Sequence, residues 1–203
     1  LRVEALFALT KMGSDAIPHL AELLFLDVDC TYRCIAALQQ VGLADERAHK
    51  VFEKLIMLFL QGTLPAIEGT NTSSHDEIAV NCVRALESTD MPASRSVPLL
   101  IEVLASKKVS TKVKSVAIRT LGYYKQDASQ AVRVLHPIVK ECFAGHDANR
   151  QEVRIGAIRT LGQIGPAASG VLPDLTALLS ESQAKSYQYE IDRAIRLIIQ
   201  GAE

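Results

Sequence analysis

Apolar residues recur at intervals of three and four along nearly the whole chain, the spacing that gathers them on one face of an α-helix. The clearest stretch is Val153 to Leu179, VRIGAIRTLGQIGPAASGVLPDLTALL. Val153, Ala157, Thr160, Leu161 and Ile164 share a face of one helix, and Leu172, Leu175, Leu178 and Leu179 share a face of the next. Gly165 can take the left-handed conformation that ends a helix, and Pro166 cannot continue one, so a tight turn is predicted there. Neither helix can bury its stripe alone. The same pattern returns along the chain, which predicts an array of helical pairs that cover one another.

With Leu161 as the anchor of a unit, the matching positions are Leu9, Leu38, Leu86, Leu121 and Ile198. The successive gaps are 29, 48, 35, 40 and 37 residues, in the range of helical-pair repeats. Four residues before each anchor stands Ala5, Cys34, Cys82, Ala117, Ala157 or Ala194, small enough for neighbouring first helices to approach closely. The first unit runs to about Leu26 and breaks at Gly13; the second starts near Thr31, breaks at Gly42 and continues in a helix from about Glu46 to Leu60. The third pairs a helix over about Glu77–Glu87 with one through Val97, Leu100, Val103 and Leu104. The fourth pairs VKSVAIRTLGYYK with a helix through Val132, Leu135, Val139, Cys142 and Phe143. In the first unit's second helix Pro18 stands near the start, where its missing N–H would have no partner anyway. GTLPAIEGTNTSSHD, residues 62–76, reads as a surface-loop insertion and accounts for the longest gap. The expected fold is all-α, about five helical pairs plus a terminal helix in one array over 1–203. That last helix, about Tyr187 to Ile199, is too apolar for a solvated cap, and the chain opens at Leu1 rather than Met. Both read as a piece of a longer protein, with continuation or packing at the C-terminal helix.

Composition narrows the classes. Apolar residues make up 48% of the chain and aromatics 5%, with no Trp, so the core is built from aliphatic side chains. A formal net charge of −1 supplies no bulk attraction to nucleic acid or to an anionic membrane. No apolar run reaches the roughly 20 residues of a membrane span. Cys34, Cys82 and Cys142 fall on buried stripes and read as small apolar residues. Cys30 lies one turn before Cys34, without the second pair or His that would complete a metal site. Reduced-looking cysteines and the lack of a secretion signal point to the cytoplasm.

The segments VRIGAIRTLGQIG, VKSVAIRTLGYYK and TYRCIAALQQVG, each followed by a helix of the type VLPDLTALL or AIPHLAELL, resemble HEAT repeats, closest to the short phycobilisome-lyase-type HEAT-like variety. That resemblance implies a right-handed α-α superhelix, with first helices convex and second helices lining the concave side, acting as a scaffold for protein partners. It also implies an Asp–Arg tie between adjacent repeats, which Asp27 with Arg33 and Asp147 with Arg154 match; Lys114 and Ala79 stand at the Arg place elsewhere.

Two surfaces are candidates for contact. On the second helices, Glu22, Glu102 and Glu141 recur beside Leu99, Ile101 and Ile138, a groove suited to a basic helix or extended peptide. On the first helices, Arg84, Arg119, Arg159 and Arg196 form a possible ladder for phosphate or an acidic partner, against the plainer reading of a solvated face. The ladder lacks the interleaved aromatics that single-strand binding uses.

Chemistry finds little support. His75-Asp76 and His146-Asp147 precede first helices, where Asp reads as an N-cap rather than a metal ligand. The paired His-Glu dipeptides of HEAT-like hydroxylases do not occur, and HEAT-like DNA glycosylases want a basic, aromatic groove. A bilin-lyase role remains an alternative that the resemblance allows. Asn71-Thr72-Ser73 fits a glycosylation acceptor by chance composition. The expected function is protein or peptide binding, with no metal or cofactor and no catalysis.

Overall fold

A computed structural model describes residues 2–42, 45–64, 72–140, 148–180 and 187–201, and they divide into two compact units, Leu1–Pro92 and Ala93–Glu203. The first unit holds α1 (Arg2–Lys11), α2 (Ile17–Leu23), α3 (Val28–Val41), α4 (Glu46–Gln61) and α5 (Thr72–Ser88). The second holds α6 (Ala93–Ala105), α7 (Thr111–Tyr123), α8 (Val132–Lys140), α9 (Ala148–Ile164), α10 (Leu172–Leu178) and α11 (Gln188–Gln200). The chain is all-α and built of helical pairs, as its pattern predicts. The division between units falls between α5 and α6, the two helices that the pattern joins as a third repeat.

Within the second unit the first helices stack in order, α7 on α9 and α9 on α11, while α6 and α8 pack on the first helices that follow them. The anchors carry this stack: Leu121 and Leu161 are fully buried, with Ala117, Ala157, Ala194 and Ile198 beside them. Of α11's remaining apolar residues, Ile191 faces inward and Ile199 stands 67% exposed. In the first unit α3 packs on α5, and Cys34 and Leu38 of the one and Cys82 and Leu86 of the other are all buried. Its first anchor differs. Leu9 is only half-buried and Ala5 is exposed.

Helix starts follow local chemistry. Asp27 accepts the backbone N–H of Cys30 at 2.7 Å, and Asp45 accepts that of Arg47 at 2.8 Å, so each carboxylate satisfies a donor that its helix leaves unpaired. The stretch expected as a loop is shorter than 62–76, because α5 begins at Thr72; residues 65–71, and with them Asn71, lie outside the described residues. His75 and Asp76 therefore sit inside α5, and Asp76 is no cap. Pro98 and Pro137 are interior to α6 and α8. Both lie at exposed positions, where water can serve the carbonyl that proline leaves without a donor.

Helix ends show a rule that the glycines reveal only in part. Four residues after the anchors stand Gly13, Asp90, Lys125 and Gly165, with φ of +63°, +51°, +47° and +73°. The left-handed turn is thus kept where Gly is replaced by residues that strain to adopt it. Gly42, at the matching place in the second unit of the pattern, ends α3 with φ of −96° instead.

Close approach of first helices rests on Gly162 in α9. A Cβ added there would lie 2.9 Å from Ala194 Cα and 3.2 Å from Ala194 Cβ in α11, a clash with backbone. A Cβ on Gly156 would meet Ile118 Cγ2 at an ordinary 3.4 Å. Helix propensity alone favours alanine by about 1 kcal/mol at both. Gly156→Ala is therefore expected to raise the thermal midpoint. Gly162→Ala should lower it, since overpacking costs about 1–3 kcal/mol. A rise for both in thermal melts would show that α9 and α11 have room to separate.

Candidate functional site

The second unit presents its second helices through alternating core and surface positions. On α6, Val97, Leu100, Ile101, Val103 and Leu104 are buried, Leu99 is half-buried and Glu102 is exposed. Ile101, expected in the groove, is only 6% exposed and belongs to the core; five consecutive apolar residues, Val97 to Ile101, left the face of α6 ambiguous by pattern alone. On α8, Leu135 and Val139 are buried, Ile138 is half-buried, and Arg133, Pro137 and Lys140 are exposed. Glu22 is exposed on α2 of the first unit. Glu141, Cys142, Phe143, His146 and Asp147 lie outside the described residues.

Adjacent second helices are joined by a small ionic cluster. His136 Nε2 of α8 lies 2.6 Å from Asp174 Oδ2 of α10, and Lys140 Nζ lies 3.2 Å from the same oxygen. The hydrogen bond from His136, and then that from Lys140, hold the Asp174 carboxyl below the usual carboxylate range. Neither His136 nor Asp174 stood out in the sequence, because their separation of 38 residues matches no motif.

A cleft of about 590 Å³ opens beside α8. Leu104, Val109, Val134, Pro137, Ile138 and Val153 give it an apolar lining. Lys107, Lys114, Arg133 and Arg150 add four cations, and no carboxylate lines it among the described residues. They come from the turn after α6, from α7, from α8 and from α9. One signal was legible: between Glu102 and Asp127 the chain has six cations and no acid, Lys107 and Lys114 among them. That stretch says nothing of Arg133 or Arg150, which only the packing brings alongside.

The first-helix face differs from a free ladder. Arg119, Arg159 and Arg196 are exposed on α7, α9 and α11, and Arg84 is exposed on α5 of the first unit. Arg159 Nη2, however, pairs with Glu190 Oε1 of α11 at 2.7 Å. The bond holds the Glu190 carboxyl below its ordinary range and raises the guanidinium. The middle rung of this unit is thus neutralised by its own chain.

Of the expected Asp–Arg ties, that of Asp27 with Arg33 takes another form, while Asp147, the expected partner of Arg154, lies outside the described residues. Arg33 pairs with Asp29 at 2.9 Å on the surface, while Asp27 caps α3. Arg154 is buried in α9, where Nε donates to the Val139 carbonyl at 2.9 Å and Nη1 to the Tyr187 hydroxyl at 3.1 Å. Cys34 and Cys82 are buried, as their positions predict. Burial, with Cys30 Sγ 3.9 Å away, pushes the Cys34 thiol up to about 12, and burial alone raises Cys82. Such thiols are inert. Among the described residues no three His, Cys, Asp or Glu side chains gather to hold a metal ion, and no helix is long and apolar enough to cross a membrane.

Residues 97–196 match the family model described as HEAT repeats, which spans α6 to α11. Residues 1–25 match the model described as PBS lyase HEAT-like repeat, which covers α1 and α2. No curated protein and no solved structure gave a match.

Proposed function

Because the chain belongs to the HEAT-repeat family, we propose that it is a scaffold that holds another protein without doing chemistry, and that the contact lies on the second-helix side of its second unit. The observation that supports this is the cleft beside α8, where Val134 and Ile138 keep apolar surface open inside a polar rim. An apolar centre within a charged border is the layout of protein interfaces. Ile138 belongs both to the face expected from sequence and to this cleft. The lyase reading has less behind it. Its matched segment is α1 and α2, where Ile17, Leu20 and Leu24 are core residues that any such repeat needs.

The test compares the parent chain with Ile138→Glu and Arg119→Glu as baits on cell lysate, with thermal melts to confirm that each is folded. A protein retained by the parent and by Arg119→Glu, and lost by Ile138→Glu, is the expected result. Loss on Arg119→Glu instead would move the contact to the first helices. Retention of nothing by any bait would overturn the scaffold reading.

A further inference from the structure

The cleft beside α8 also carries information about what it accepts. Its four cations occur in a chain whose net charge is −1, so their meeting is a local feature and not a bulk excess. Lys107, Lys114 and Arg133 make no ion pair among the described residues. Contrast the neighbouring surface, where Lys140 pairs with Asp174 and Arg159 with Glu190. Like charges gathered around an apolar floor repel one another, and a ligand that brings carboxylates relieves that repulsion.

We propose that this cleft binds an acidic peptide segment of a partner protein, with an apolar side chain seated on Val134 and Ile138 and flanking carboxylates against Lys107, Lys114 and Arg133; this rests on the scaffold reading above and names its partner's chemistry. About 590 Å³ is within the range of about 300–1,000 Å³ that takes a compact ligand, here a few side chains rather than a whole helix. The apolar lining separates a peptide from a bare phosphate chain, which has nothing to place there. No aromatic lines the cleft among the described residues, so it offers no stacking platform for nucleic-acid bases. The sign is opposite to that expected from Glu102, which is exposed on α6 and does not line this cleft.

The probe is a short fluorescent peptide with a central Leu flanked by Glu, followed by anisotropy with the full chain. Comparison peptides carry Gln for Glu, or Ser for Leu, and a single-stranded RNA of similar length is the nucleic-acid control. Lys107→Glu with Arg133→Glu is the protein variant, both positions being exposed, and a thermal melt confirms its fold. The acidic peptide should bind the parent and weaken about tenfold or more on the double reversal. It should also weaken with rising salt, with Gln for Glu and with Ser for Leu. Equal binding of the Gln peptide, or binding unaffected by the double reversal, would overturn the proposal. So would RNA binding more tightly than the peptide and depending on the same two residues. If no acidic peptide binds while Ile138→Glu still loses a captured protein, the partner's chemistry is wrong and the scaffold reading stands.

Discussion

Leu161→Ala is expected to lower stability by about 3 kcal/mol, as full loss of a buried leucine does when its surroundings cannot collapse. Leu161 is fully buried, in a helix that packs on α7 on one side and on α11 on the other. Ala157 and Ala194 hold those helices at close range, so a cavity left by the leucine has rigid walls. Leu9→Ala is the informative comparison, because Leu9 is the same residue at the matching place of the repeat. It is half-buried, and its small neighbour Ala5 is exposed, so its truncation should cost less than about 1 kcal/mol. Denaturant unfolding of both variants checks the contrast. Equal losses would mean that pattern position, not burial, sets the energy.

Arg154→Ala should cost about as much, roughly 3 kcal/mol, for a different reason. Arg154 is only 5% exposed, and its guanidinium bridges the carbonyl at the end of α8 to the hydroxyl at the start of α11. Removing it strands buried polar groups, and hydrogen bonds made by a charged group are each worth about 1.5–3 kcal/mol. Tyr187→Phe removes one of these bonds and keeps the ring, whose centroid lies 6.0 Å from the guanidinium; its cost should be nearer 1 kcal/mol. Arg154→Lys should fall between them, since a single ammonium cannot reproduce the planar fork that reaches both partners. A lysine variant as stable as the parent would show that charge, not the fork, holds the site.

Both predictions show which kind of information each level carried. The anchors Leu38, Leu86, Leu121, Leu161 and Ile198 and the small residues four before them were legible because a helix repeats its face every few residues, so burial is written locally. Leu9 carries the same local signal and yet stays half open, because the pattern records which face is apolar and not what covers it. Arg154 was legible as one half of a tie, but its observed partners include a tyrosine 33 residues away.

The sequence by itself determined an all-α chain of helical pairs, the burial of its cysteines at repeat positions 34 and 82, the helix stop at Gly13 and the left-handed turn at Gly165. Tertiary structure decided the rest. Asp90 and Lys125 take the same left-handed turn with no glycine to announce it, and the side chain bears the strain. Ile101 went to the core, Arg159 was neutralised by Glu190 across two helices, and Lys107, Lys114, Arg133 and Arg150 met around one cleft. Those outcomes depend on which helices lie side by side, and charges far apart along the chain become neighbours only when the repeats stack.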